Sequence, residues 1–271
     1  MSETGVVSGS ILANKAVASA WEAWAKMRPL VVSAMIASSI VGVGFALAEG
    51  VLGVRPRELS LQNGALELAK AFAEAVIATP VAVAMHRLIL KGEVTAGIIS
   101  LRHSYHWLFL AWVCLFLLAQ NVLIALAQSD SAFWLAAIVA IGVAFLWLRS
   151  ALLFPAIAIE EQSAGWWALL LASWRRMDGH FWLFIRALLV ALIWLLALVV
   201  LYLVVVVIMG LLLASLAWAT GATNWGTAGN LEVAGNVLAA AAAGILAPVG
   251  IMLPAGIASW LYLETQSKPI G

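Results

Sequence analysis

Between Phe181 and Ala217 the chain carries one charged side chain, Arg186. As a helix this run would be ~55 Å long at 1.5 Å per residue, well beyond the ~30 Å diameter of a small domain. No water-soluble fold can hide it; hydrocarbon is the solvent that accepts it. The rest of the sequence agrees. Of the 271 residues 65% are hydrophobic and 10% charged, whereas ordinary globular chains carry about 25% charge. The net charge of +1 supplies no concentrated basic face for nucleic acid. Cys114 is the single cysteine, so no intrachain disulfide and no cysteine-based metal site can form. The first 27 residues lack the compact apolar core of a cleaved signal and alternate with helical period, so they are expected to remain in the mature protein.

Spans of a bilayer need ~20 apolar residues, and runs of that kind lie near 29–52, 64–90, 104–128, 132–158, 181–213 and 231–263. The sequence therefore predicts an all-α, polytopic membrane helix bundle of about six transmembrane helices, forming one integral membrane domain over 1–271. Pro29 opens the first span, Gln128–Ser131 forms a tight turn between the third and fourth, and residues 219–230 a small polar loop between the last two. The fifth span is too long for a bilayer and must tilt, protrude or break, with Gly210 the expected break. Pro248 and Pro254 predict a kink in the sixth.

Lys15, Lys26, Arg28, Arg87, Lys91, Arg102, Arg149, Arg175, Arg176, Arg186 and Lys268 fall on one side of this layout, and Arg55 and Arg57 on the other. By the positive-inside rule the rich side is cytoplasmic, so both termini are expected inside, in a bacterial cytoplasmic (inner) membrane. Trp107, Trp134, Trp182, Trp218 and Trp260 lie near span ends, where an aromatic belt belongs.

Short amphipathic interfacial helices are expected before each odd-numbered span. In the first, Lys15, Ser19, Glu22 and Lys26 mark one face and Val17, Trp21, Trp24 and Met27 the other, with Glu22 and Lys26 spaced to pair. In the second, Val94, Ile98, Leu101 and Tyr105 repeat the spacing beside Arg102 and His103. In the third, over 163–177, Trp166, Leu169, Leu170, Trp174 and Met177 form the stripe; Glu160 and Glu161 precede it, Arg175 and Arg176 close it, and Gly179 can stop it in the left-handed conformation. Pro80, Pro155 and Pro254 each precede the cytoplasmic end of an even-numbered span. This suggests a threefold repeat of interfacial helix, span, span over 1–90, 91–160 and 161–271, although any chain rich in Ala and Pro yields some such matches.

The stretch from Arg149 to Arg186, RSALLFPAIAIEEQSAGWWALLLASWRRMDGHFWLFIR, runs arginine, Pro-Ala, acidic residues, Ser-Trp before a glycine, then aromatics opening a span. In this order it resembles the YciC-like bacterial inner-membrane proteins, and it is similar to the membrane domain attached to some glycerophosphodiester phosphodiesterases. The resemblance implies a fold and a location rather than an activity. The phosphodiesterase catalytic domain is absent: His86-Arg87 is followed by Leu88, not by the glycine of that enzyme's His-Arg-Gly start.

Few residues are candidates for chemistry. Glu67, Lys70 and Glu74 share a face of the second span; wet first turns account for Glu67 and Lys70, while Glu74 lies deeper. Arg149 lies before the end of the fourth span, where it either snorkels to the interface or meets an acid or a lipid headgroup. Glu74 and Arg149 fall at similar depths, ~20 and ~16 Å from their helices' cytoplasmic ends, so an intramembrane ion pair between them is expected. His86, His103, His106 and His180 sit at predicted boundaries without a matching carboxylate or cysteine, and no metal site or cofactor is assigned. Glu160 and Glu161 point apart on a helix and suit a helix start better than paired-acid catalysis. There is no phosphate loop, GxSxG or HExxH.

The leading expectation is a non-enzymatic membrane protein that binds membrane lipids or a partner at its cytoplasmic face, as part of a membrane-protein complex or a homo-oligomer, with Arg102, Arg175 and Arg176 as headgroup contacts. The alternative is a small transporter or channel using Glu74 and Arg149, which should show a polar track at several depths. A membrane-embedded enzyme comes third, since no catalytic groups are visible.

Overall fold

The computed structural model describes residues 8–52, 61–94, 104–127, 133–159, 165–219 and 228–267. All regular structure among them is helical: α1 Gly9–Lys26, α2 Arg28–Leu52, α3 Leu61–Lys91, α4 Ser104–Ala127, α5 Phe133–Ser150, α6 Leu153–Ala158, α7 Trp166–Met177, α8 Phe181–Ala219 and α9 Ala228–Ser267. Four of the described helices are long and apolar enough to cross a membrane, over Arg28–Val51, Gly64–Lys91, Phe181–Leu212 and Gly235–Gln266; His106–Ala119 and Ala137–Ser150 are shorter apolar helices.

Local chemistry sets several boundaries. Ser8 caps α1, its hydroxyl accepting from the Ile11 N–H at 3.3 Å. Lys26 and Glu22 form the expected one-turn pair at 2.6 Å, worth little at half exposure. Pro29 sits in the first turn of α2, where a missing N–H costs no helical bond. Gly179, at φ +80, ends the turn after α7 in the left-handed region.

Other expectations are corrected. The fourth apolar run, read as one span over 132–158, breaks at Ala151–Leu152 into α5 and α6. Pro155 has no N–H to give the Ala151 carbonyl, and the helix turns there. α8 runs unbroken through Gly210 and measures ~58 Å for its 39 residues. A glycine costs a helix only about 1 kcal/mol, while a broken backbone in hydrocarbon costs several kcal/mol per orphaned group. A kink at Pro248 and Pro254 needs no break, and α9 is helical through both. The faces of α1 differ from the expected ones: Ser19 is buried and accepts from Trp260 Nε1 at 3.0 Å, whereas Trp21 is 74% exposed. Small residues Ala13, Ala16 and Ala23 form the buried face instead, because they let α1 approach α9 and α8 closely. Residues 95–103, with Ile98, Leu101, Arg102 and His103, lie outside the described residues, as do Glu160 and Glu161.

The bundle is tight at one end and splayed at the other. One buried cluster joins Leu12, Phe109, Leu152, Met177, Phe184 and Tyr262, drawn from α1, α4, the α5–α6 turn, α7, α8 and α9. A second joins Met27, Leu30, Met85 and Met252. These residues sit at the starts of α2, α4 and α8 and toward the ends of α3 and α9, which is the end that also gathers the lysines and arginines. Toward the opposite end α2 and α9 remain in close contact. Ser39 Oγ donates to the Ala241 carbonyl at 2.8 Å, and a Cβ on Gly244 would overlap the backbone of Ser38 and Ser39. α8 packs on α1 and α9, and no residue of its most apolar window is buried. Leu189, Ile193, Leu196, Val200, Leu203 and Val207 face outward along it.

Candidate functional site

A cavity of about 770 Å³ occupies the splayed part of the bundle, within the ~300–1,000 Å³ common for ligand pockets. One wall is made of small residues: Ser38, Gly42 and Ala46 of α2, and Ala239, Ala240, Ala243 and Ala247 of α9. The facing wall is bulkier, with Phe109, Val113 and Leu117 of α4, Trp147 of α5 and Phe154 of α6. Between them runs one stripe of α3, where Lys70, Glu74, Ala78, Ala82 and His86 recur every fourth residue. Four-residue spacing keeps side chains on one helix face, so the stripe marks depth. Lys70 and Glu74 stand at the mouth, and His86 lies ~18 Å below Glu74 along the helix.

The ionisable lining is divided between the two ends, with the Ser38 hydroxyl between them. Glu49, Lys70, Glu74 and Asn236 gather at the mouth. At the floor His86, 1% exposed, places Nδ1 2.7 Å from Ser259 Oγ. Ser259 also donates its hydroxyl proton to the Ala255 carbonyl at 3.0 Å. A hydroxyl has one proton to give, so the network assigns the imidazole proton to Nδ1 and leaves Nε2 as a neutral acceptor. The His86 ring lies 5.9 Å from that of Phe109.

Below the floor the basic end is bolted shut. Arg87 pairs with Glu93 at 2.6 Å and donates to the Ala158 carbonyl at the end of α6. Arg176 lies over the Tyr262 ring at 4.8 Å, and Lys15 over Trp260 at 4.8 Å. α7 is fastened to the end of α5: Ser173 Oγ donates to the Arg149 carbonyl at 3.0 Å and Trp174 Nε1 to Ser150 Oγ at 3.3 Å.

The expected pairing of Arg149 with Glu74 is not what the structure holds. Arg149 Nη1 bonds the Asp178 carboxylate and the Trp174 carbonyl, and its guanidinium lies 5.4 Å from the Phe145 ring centroid. Only along a helix continuous to residue 160 would Arg149 lie ~16 Å from the end. Because α5 stops at Ser150, Arg149 sits in a last helical turn at the basic end, within reach of the turn after α7. Glu74 belongs to the mouth. Of the expected headgroup contacts, Arg175 is exposed, Arg176 is stacked on Tyr262, and Arg102 lies outside the described residues. Glu49, Asn236 and the buried role of His86 went unread in the sequence; the four-residue rhythm from Lys70 to His86 was the available signal. Among the described residues no group of three or more His, Cys, Asp or Glu could hold a metal ion.

Asp178→Asn should cost about 0.5–1 kcal/mol, because the Asp178 side chain is 60% exposed and such pairs are weak. Arg149→Gln should cost more, since it also forfeits the Trp174 carbonyl and the Phe145 face. Thermal melts in detergent check this ordering; equal losses would contradict it.

The fold and cavity define a class: an all-helical chain whose long apolar helices enclose a mostly apolar cavity with charge at one end. No family model, curated protein or solved structure matches the chain.

Proposed function

We propose that this chain is a non-enzymatic, polytopic protein of a bacterial cytoplasmic membrane, akin to the YciC-like group, that binds a lipid in its central cavity. In this reading α4 and α5 complete six spans, both termini are cytoplasmic, and the basic end faces the cytoplasm. α1 and α7 are the interfacial helices of repeated units; the order short helix, long helix, long helix occurs at α1–α3 and at α7–α9. The 12 residues of α7 reach ~18 Å, too short to span. Exposed Trp21 and Trp167 then meet the headgroup region, and exposed Arg175 an anionic headgroup.

The single observation that carries lipid binding is the cavity itself. Between Glu74 and His86 its α3 wall offers only Ala78 and Ala82. An apolar space of this kind holds hydrocarbon better than water or ions. A channel needs polar groups at successive depths, and between the two ends the small-residue wall supplies only the hydroxyl of Ser38.

Native mass spectrometry of the protein extracted in a mild detergent is the test. Wild type should retain lipid. Ala243→Trp, which places an indole in the cavity from an exposed wall position, should cut retained lipid at least tenfold without lowering the melting temperature. Unchanged lipid occupancy in Ala243→Trp would reject the cavity as the site. For orientation, a reporter active only in the periplasm should be silent when fused after Gly271 and active after Ser129; the reverse pattern would overturn the topology.

A further inference from the structure

We infer that the mouth of the cavity is a headgroup site for an aminophospholipid, with the ammonium held by Glu49 and Glu74, the phosphate by Lys70, and an acyl chain lying along the alanine wall toward His86. The inference rests on the lipid-binding reading and adds to it the chemistry and direction of the ligand.

Three helices bring four polar side chains to one opening: Glu49 from α2, Lys70 and Glu74 from α3, and Asn236 from α9. None of them has a hydrogen bond or ion pair to another side chain among the described residues. Lys70 stands one turn from Glu74 and interacts with it electrostatically, which leaves Glu49 as the carboxylate without a cation at the mouth, a place for a cationic group from outside the protein. The two carboxylates and one ammonium carry both signs with acid in excess. A phosphate-only headgroup would meet two like charges for one opposite charge. A headgroup that carries an ammonium beyond its phosphate meets each sign with its complement, and its N–H groups bond carboxylates in the charge-assisted way.

Direction follows from the two ends. At the floor His86 Nε2 is a neutral acceptor, with Nδ1 and the Ser259 hydroxyl already engaged. It offers no donor to a phosphate and no charge to an ammonium. The walls beside it are Phe109, Phe154, Ala255 and Ala258, which suit a chain. The ~18 Å from Glu74 to His86 compares with ~15 Å for one leaflet of a ~30 Å hydrocarbon core. Of the bulky wall, α6 at the floor is the element packed on α9, whereas α4 packs mainly on α3, α5 and α6.

The test is competition between phosphatidylethanolamine and phosphatidylglycerol for the full chain, read by native mass spectrometry. Wild type should retain phosphatidylethanolamine at least tenfold over phosphatidylglycerol. Glu49→Gln with Glu74→Gln should abolish that preference while the melting temperature and total lipid occupancy hold. Lys70→Met should weaken phosphatidylethanolamine but leave binding of a long-chain alkylammonium intact. Equal retention of both lipids by wild type, or a preference that survives the double glutamine variant, would overturn the inference. If Ala243→Trp releases lipid while wild type shows no headgroup preference, the headgroup assignment fails alone. If Ala243→Trp releases nothing, the lipid-binding reading fails with it.

Discussion

Gly244→Leu should give no folded, monodisperse protein in detergent, and Gly244→Ala should melt several degrees below wild type. At Gly244 the α9 backbone lies against the α2 backbone, and the atoms a Cβ would meet are the Ser39 nitrogen and Cα and the Ser38 carbonyl carbon. All three are main-chain atoms, so no rotamer change relieves the overlap; the helices must part. Parting them stretches the bond from Ser39 Oγ to the Ala241 carbonyl, 2.8 Å long, and opens the contact of Gly42 with Ala240. Within lipid, helix association depends on such close packing of small residues, because burying apolar surface away from lipid gains nothing. Ordinary overpacking costs about 1–3 kcal/mol; with backbone on both sides, leucine should exceed that range. Gly210→Ala is the control. A Cβ there meets nothing within 4 Å, and alanine is the better helix former by about 0.8–1.0 kcal/mol, so that variant should melt at or slightly above the wild-type temperature. Size-exclusion chromatography and thermal melts decide it. A monodisperse Gly244→Leu protein with wild-type stability would mean that α2 and α9 are not this close.

The same α9 face shows why the fold was more legible than the site. Apolar length and periodicity are one-dimensional properties, so the long helices, the α7 stripe and the stop at Gly179 could be read along the chain. Ala243 and Gly244 are adjacent small residues that both border the cavity, yet Gly244 is buried against α2 while Ala243 is exposed. In sequence a small-residue face signals close helix packing and a cavity wall equally well. Only the positions of α4 and α5 decide between them. Arg149 failed for a related reason. Its depth was counted along a helix continued to residue 160, and α5 ends ten residues earlier, at Ser150, one turn before Pro155 with its missing N–H. Prolines were not uniformly informative either, since α3 and α9 pass through Pro80, Pro248 and Pro254 without losing their helical assignment. Whether a proline breaks a helix depends on whether the freed carbonyl is needed inside the element or can be satisfied by a turn beyond it.

Ser259→Ala should destabilise the protein by about 1–2 kcal/mol, the cost of a buried imidazole N–H left without an acceptor. The hydroxyl joins α3 to α9 at the cavity floor, accepting from His86 Nδ1 at 2.7 Å while donating to Ala255 at 3.0 Å. Hydrogen bonds between membrane helices average only about 0.6 kcal/mol, but His86 is 1% exposed, which raises the cost of leaving its N–H without an acceptor. His86→Leu removes the donor and keeps most of the volume against Phe109, so it should be milder than Ser259→Ala. The informative variant is the pair. With both partners apolar no buried donor is orphaned, and His86→Leu with Ser259→Ala should be more stable than Ser259→Ala alone by most of the 1–2 kcal/mol lost. If the two losses simply add, the side chains are not coupled. If Ser259→Ala is neutral, the imidazole carries its proton on Nε2, and the floor of the cavity presents a donor rather than an acceptor. The mouth charges are untouched in all three variants, so headgroup preference measured by lipid competition should match wild type throughout. A preference that changed with the floor would place the headgroup at His86 and reverse the direction assigned to the ligand.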